Sequence, residues 1–305
     1  MSPFFAAIPW SVDPIIGHLG PLTFRWYGVL FMSGFLIGLY ILNHIYRAER
    51  VSPRWVDTLF VYILIATIIG ARLGHVIFYA PDYYFTAAHW PEIFKIWEGG
   101  LASHGATIGI LLAAWLFARN NKFDYLWVLD RLVLVVATGG ACIRLGNLMN
   151  SEIIGSKTDV PWGFQFLRYA ELHGATPANL TIQNELHHAS QLYEGLFCVA
   201  LFAFLYLLWN RTKERTPRGL IFGLFVVLLF TQRFLVEFIK LNQEAFEDKL
   251  PLNMGQILSI PMIFVGIAVL LRAGKNPNNP YGYAPRDLDE QEAADAGKVT
   301  APRKG

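Results

Sequence analysis

The sequence predicts an all-α integral membrane protein of seven transmembrane helices, with a small extracytoplasmic head between helices four and five. Three observations carry that expectation. Apolar runs of helix length recur along the 305-residue chain, which is 54% hydrophobic. Charged residues make up only 16%, where soluble domains carry about a quarter. The few charges that do interrupt the apolar runs fall at similar depths in successive runs.

A helix needs about 20 predominantly apolar residues to cross the hydrocarbon core. Seven segments qualify: 24–44, 57–80, 100–118, 125–149, 190–209, 219–240 and 252–272. The fourth is the most interrupted, by Asp130, Arg131 and Arg144. The connection 150–189 is too polar to cross and forms the head, so residues 1–272 read as one seven-helix domain. Residues 273–305 are rich in Asn, Pro, Asp, Glu, Ala and Gly without an apolar period, and read as a disordered tail. The amino terminus lacks a basic stretch and a small-residue cleavage site. The first apolar run is therefore read as a retained helix, not a signal peptide.

The net charge of +2 is too small to imply a nucleic-acid partner. Its distribution is more informative, because basic residues favour cytoplasmic connections. One set of connections carries Arg47, Arg50 and Arg54; Arg119 and Lys122; and Arg211, Lys213, Arg215 and Arg218. The alternate set carries Lys95, then Lys157 and Arg168, then Lys249. The amino terminus is expected outside and the carboxyl terminus in the cytoplasm. Cys142 and Cys198 both lie in apolar segments, which argues for packing rather than a disulfide scaffold or a nucleophile. The histidines show no metal-ligand spacing, and no nucleotide fingerprint or cofactor motif is present.

Direction of travel at about 1.5 Å per residue gives each polar residue a depth. Outward-running helices two, four and six carry Arg72, Arg144, and Gln232, Arg233 and Glu237 toward their outer ends. Inward-running helices one, three, five and seven carry theirs early: Tyr27; Ser103 and His104; Gln191, Tyr193 and Glu194; Asn253 and Gln256. Charges inside a span cost several kcal/mol unless they face partners or water. Structural ion pairs, such as Arg233 with Glu237 at i, i+4, account for single residues but not for convergence from all seven helices. A polar cavity open to the outer leaflet does. Arginines there suit an anion, because guanidinium is a planar fork of donors that stays charged in a low dielectric. An anionic lipid head group is the first candidate occupant and a transported organic anion the alternative.

The most informative stretch is Arg144-Leu-Gly-Asn-Leu-Met-Asn-Ser-Glu-Ile-Ile-Gly155. It resembles the signature of the prolipoprotein diacylglyceryl transferases, with Ile143 standing where the family has glycine. Six further segments are similar to that family in the same order. These are Arg25-Trp-Tyr-Gly28; Gly70-Ala-Arg-Leu-Gly74; Gly99-Gly-Leu-Ala-Ser-His-Gly105; His188-Ala-Ser-Gln-Leu-Tyr-Glu194; and Arg233-Phe-Leu-Val-Glu-Phe238 with Met254-Gly-Gln-Ile-Leu-Ser259. Ala106, His187 and Ala189 depart from the family pattern.

The resemblance implies a transferase of the bacterial cytoplasmic (inner) membrane. A lipobox cysteine of a prolipoprotein signal peptide attacks the terminal glycerol carbon of phosphatidylglycerol, and glycerol 1-phosphate leaves. The departing phosphate gains charge that fixed cations must stabilise. A thiol of pKa about 8.5 gains from a nearby base. By the resemblance Arg144 and Arg233 hold the phosphate, while Tyr27, Asn147, Glu152 and Gly155 contact the lipid. Glu237 holds Arg233, with Gln191, Tyr193 and Glu194 in support. His104 is either the base for the thiol or a head-group contact. Arg72 is either a third phosphate ligand or the partner of Glu194.

Overall fold

The computed structural model describes residues 7–20, 22–86, 89–95, 100, 102–241 and 251–273, together with 284, 285, 287–290 and 292. All seven expected apolar segments form long helices: α1 Trp26–Ala48, α2 Arg54–Phe78, α4 Ser103–Asn121, α5 Tyr125–Met149, α8 Ser190–Thr212, α9 Leu220–Val236 and α10 Met254–Arg272. Among the described residues six helices are long and apolar enough to cross a membrane. The exception is α4, where Ser103, His104, Thr107 and the closing Arg119-Asn120-Asn121 dilute the apolar run. Leu36 and Tyr40 of α1, Phe78 of α2, Leu207 of α8 and Phe264 of α10 are exposed on the protein surface. Exposed apolar faces of this kind suit lipid rather than water.

The chain divides into two compact units, and α1 and α5 contribute residues to both. The first comprises Met1–Ile41 and Leu132–Lys275. In it α9 packs on α10 through small residues: a Cβ at Gly266 would sit 2.7 Å from Val227 Cγ2, and one at Gly223 2.8 Å from Leu270. A capping box starts α10, with Asn253 Oδ1 accepting from the Gln256 backbone at 3.0 Å and Gln256 Oε1 from the Asn253 backbone at 3.2 Å.

The connection 150–189 is ordered in this unit. It holds a short strand β4 (Phe164–Phe166) and two short helices, α6 (Tyr169–His173) and α7 (Pro177–Asn184). Strand β1 (Ile8–Trp10), from near the amino terminus, pairs parallel to β4, while β2 (Ile15–Leu19) and β3 (Leu22–Arg25) make an antiparallel hairpin. These short strands accompany a mostly helical chain that bears out the expected all-α membrane class. They are too short to show a period, and the β1–β4 pairing joins segments more than 150 residues apart. Leu148, Ile154, Phe164, Phe166 and Ala189 form the core beneath them, with Trp10 packed against it.

The second unit comprises Leu42–Arg131 and Asn276–Gly305. Here α2 and α4 approach backbone to backbone. A Cβ on Gly70 would lie 2.5 Å from Gly105 O, one on Gly74 2.7 Å from Gly105 Cα, and one on Gly109 2.5 Å from Ala66 O. The spacing of four on both helices is the small-residue pattern that lets membrane helices pack closely. Glu49 and Arg131 form a dry pair: Arg131 donates Nε and Nη2 to Glu49 Oε1 at 3.1 and 2.8 Å, and Trp127 Nε1 donates to Oε2 at 3.0 Å.

Part of the carboxyl tail departs from the expected disorder. Residues 288–290 are helical, and Asp287 accepts from the Ser52 backbone at 3.0 Å, from Trp55 Nε1 at 2.9 Å and from Arg54. Asp289 pairs with Arg50, and Leu288 is buried. Acidic tail residues thus meet the basic connection between α1 and α2, a long-range complementarity that local composition does not reveal. Burial acts to raise the Asp287 pKa, but its donors outweigh that and hold it below the usual 3.8. Most of the remaining tail lies outside the described residues.

Candidate active site

The carboxyl end of α5 runs into an unusual turn. Asn147 O accepts from the Glu152 backbone at 2.9 Å, and Ser151 N donates to Leu148 O at 3.0 Å. Ser151 and Ile153 both adopt left-handed backbone, with φ of 53° and 58°. That conformation is costly for a β-branched residue and persists only where its surroundings enforce it. The start of α8 supplies the enforcement. Ser190 Oγ donates to Ile153 O and Gln191 Nε2 to Glu152 O, each at 2.6 Å. The residues Ser190 and Gln191 therefore exist, in structural terms, to hold the segment that follows Arg144.

Side chains of that turn form a chain of polar contacts. Arg144 Nη1 donates to Asn147 Oδ1 at 3.3 Å, and Asn147 Nδ2 donates to Glu152 Oε2 at 3.2 Å. Asn150 Nδ2 reaches the other oxygen of Glu152 at 3.1 Å. Glu152 is thus held by amides rather than by a cation. A Cβ on Gly146 would stand 2.8 Å from the Tyr27 ring, so the glycine is what lets Tyr27 lie against the Arg144–Asn147 turn.

A second chain of contacts is ionic. Arg144 Nε lies 2.5 Å from Glu194 Oε2, and Glu194 Oε1 lies 2.6 Å from Lys240 Nζ. Lys240 Nζ is also 3.2 Å from Glu237 Oε1, which in turn is 3.9 Å from Arg233 Nη2. Asn253 Nδ2 donates to the other Glu237 oxygen at 3.1 Å. Among the described residues, three cations therefore share these two carboxylates. Side-chain exposure rises along the series, from 2% at Lys240 and 4% at Glu194 to 20% at Arg144 and 37% at Arg233.

Backbone contacts tie these parts together. Gly155 N donates to His188 O and Ser156 N to Ile239 O, both at 2.8 Å. A Cβ on Gly155 would come within 2.7 Å of both carbonyls, so this position admits only glycine without movement. His188 Nδ1 is 3.1 Å from the Tyr193 hydroxyl, which also accepts from Trp162 Nε1 at 3.0 Å. Burial, with His187 beside it, holds the His188 imidazole below its ordinary pKa of 6.5.

The structure thus brings together Tyr27, Arg144, Asn147, Glu152, Gly155, Gln191, Glu194, Arg233 and Glu237, with Tyr193 in the adjoining His188–Trp162 contact. Lys240 belongs to the cluster and escaped the sequence reading. Its signal was its i, i+3 spacing from Glu237, masked by its position at the last residue of an apolar run. The two remaining residues belong to the second unit. His104 is exposed in the first turn of α4. Arg72 is buried and donates to the carbonyls of Ile93 at 2.8 Å and Gly100 at 3.3 Å, and to that of Glu92.

Apolar helices of spanning length and a cation-rich cluster at their polar residues define a multi-pass membrane protein with a candidate anion site. The chain belongs to the prolipoprotein diacylglyceryl transferase family, whose match extends over residues 14–272. It is 46% identical over 279 residues to the phosphatidylglycerol–prolipoprotein diacylglyceryl transferase of Porphyromonas gingivalis, covering 89% of this chain and 96% of that protein. The proteins of the same name from Tolumonas auensis and Chloroherpeton thalassium are 45% and 42% identical, each over 87% of this chain and covering 97% and 94% of their own lengths. These relatives lend no support to the anion-transporter alternative.

Proposed function

We propose that this chain transfers the diacylglyceryl group of phosphatidylglycerol to the thiol of a lipobox cysteine in a prolipoprotein signal peptide. The reading rests above all on similarity to enzymes of that name along nearly the whole chain. The cysteine sulfur attacks the terminal glycerol carbon that bears the phosphate ester. The carbon–sulfur bond forms as the carbon–oxygen bond breaks, the thiol proton passes to a base, and glycerol 1-phosphate departs.

Arg144 and Arg233 are the groups proposed to hold the phosphate as its charge grows. Arg233 is the most exposed cation of the cluster and the most loosely paired, at 3.9 Å from Glu237, which suits a ligand for an incoming anion. Tyr27, Asn147, Glu152 and Gly155 are proposed to contact the head group. Glu237 and Glu194 orient the two arginines, and Gln191 and Tyr193 support the turn and its neighbours. His104 is proposed either as the acceptor of the thiol proton or as a head-group contact, and Arg72 either as a third phosphate ligand or as a structural partner of Glu194. Seven spans in a bacterial inner membrane, with the amino terminus and head outside and the carboxyl terminus in the cytoplasm, complete the proposal and follow from the distribution of Lys and Arg.

The test is direct. Purified protein in detergent is incubated with phosphatidylglycerol and a one-cysteine lipobox peptide, and the peptide is weighed by mass spectrometry. A gain of one diacylglyceryl group is expected. No gain with folded protein would sink the reading.

A further inference from the structure

We propose that Lys240 is a positioning residue for the two arginines, acting as a shared counter-ion for the carboxylates that hold them; this rests on the transferase reading above. Its ammonium sits between Glu194 Oε1 at 2.6 Å and Glu237 Oε1 at 3.2 Å, with its side chain 2% exposed. Each glutamate reaches one arginine: Glu194 to Arg144 Nε at 2.5 Å, Glu237 to Arg233 Nη2 at 3.9 Å.

The charge arithmetic explains what Lys240 does. With it, the two carboxylates paired directly with the arginines face three cations among the described residues, and the arginines keep positive charge to offer an anion. Without it, two buried carboxylates have only the arginines to neutralise them. Coulomb attraction in a medium of low dielectric then draws Arg233 onto Glu237 and tightens Arg144 on Glu194. Both guanidinium groups lose the net charge and freedom that phosphate binding requires.

The placement of Lys240 is independent of its charge. Helix α9 ends at Val236, a 3-10 turn covers Glu237–Ile239, and the chain then bridges antiparallel to Gly155. Ser156 N donates to Ile239 O and Leu241 N to Ile154 O. The backbone on both sides of Lys240 is therefore anchored, and a substitution of its side chain leaves that anchor in place. Lys240 touches carboxylates, not the reacting atoms, so its effect passes through Arg144 and Arg233.

The experiment measures kcat and KM separately for phosphatidylglycerol and for the lipobox peptide in detergent. Lys240→Met is expected to lower kcat/KM for the lipid by about 100-fold, a loss typical of misplaced substrate-positioning groups, with KM for the peptide unchanged. Lys240→Arg, which keeps the charge, restores most of the loss. The double variant Lys240→Met/Glu237→Gln recovers part of it, because one unneutralised carboxylate is gone. A folded Lys240→Met protein with wild-type constants overturns the inference, as does an equal loss in Lys240→Met and Lys240→Arg. Should Lys240→Met not fold, Lys240→Gln is read against Lys240→Arg in the same way. Wild-type protein that transfers nothing would defeat the transferase reading alone. Direct binding of phosphatidylglycerol then decides, with weakening by Lys240→Met and not by Lys240→Arg expected, and unchanged binding overturning the inference.

Discussion

Among the described residues, two buried assemblies of charge are built on opposite plans. Around Arg131 one guanidinium meets two carboxylates: Glu49, through two nitrogens, and Asp130 at 3.8 Å. Trp127 completes that group, donating to Glu49 and lying 4.6 Å beneath the Arg131 guanidinium. Arg131 and Glu49 are 0% and 2% exposed. Around Glu194 and Glu237 the ratio is reversed, with three cations to two carboxylates and exposure that grows toward Arg233. A closed pair with every lone pair engaged fastens helices. An open series whose cations grow more exposed toward Arg233 leaves a guanidinium able to reach the ligand proposed above.

Changing Arg131 to Ala should have the largest effect, and on stability. It leaves the Glu49 carboxylate buried without its guanidinium, which costs about 3–5 kcal/mol for a broken buried pair. Thermal unfolding in detergent measures it, and the folded fraction should keep its kcat. A large kcat defect in folded Arg131→Ala protein would break the distinction drawn above. Arg144→Ala should show the converse: transfer falls about 10²- to 10³-fold, as expected for loss of one charge-stabilising donor, with a smaller change in melting temperature.

Gly146→Ala comes next. The new methyl meets the Tyr27 ring at 2.8 Å, an overpacking worth about 1–3 kcal/mol unless Tyr27 moves. If it moves, KM for the lipid rises while stability holds, and the two measurements together separate the cases. Ser190→Ala removes the 2.6 Å bond to Ile153 O and should cost about 1 kcal/mol, seen as a lower melting temperature.

The smallest effect concerns His188. Its folded-state pKa lies below 6.5, so the native protein binds fewer protons there than the unfolded chain does. The associated stability is complete above pH 6.5 and is lost as pH falls through the folded value. Melting temperature should decline over that window in wild-type protein and decline less in His188→Asn.

Much of this architecture was legible because helix propensity and bilayer thickness act locally. The run 125–149 was read to the residue, and α8 and α10 to within a few residues of their ends. The motif residues were legible as well, but their division of labour was not. Gln191 looked like a site residue of α8, yet it and its neighbour Ser190 donate to the carbonyls of the strained turn after Arg144. Reading that from the chain would require knowing that Ile153 has positive φ, and nothing about an isoleucine announces it.

Composition and period established a multi-helix membrane chain, and the resemblance of its motifs to a known family singled out the candidate site residues. These depend on interactions within a few turns of helix or on averages over a loop, and they survive without knowledge of neighbours. Contact between distant segments decided the rest. The parallel pairing of Ile8–Trp10 with Phe164–Phe166, the docking of Asp287 at Ser52 and Trp55, and the place of Lys240 between two glutamates are of this kind. A charge acquires its partner only when the fold removes water from between them, and which carboxylate is nearest then depends on packing that no local pattern encodes.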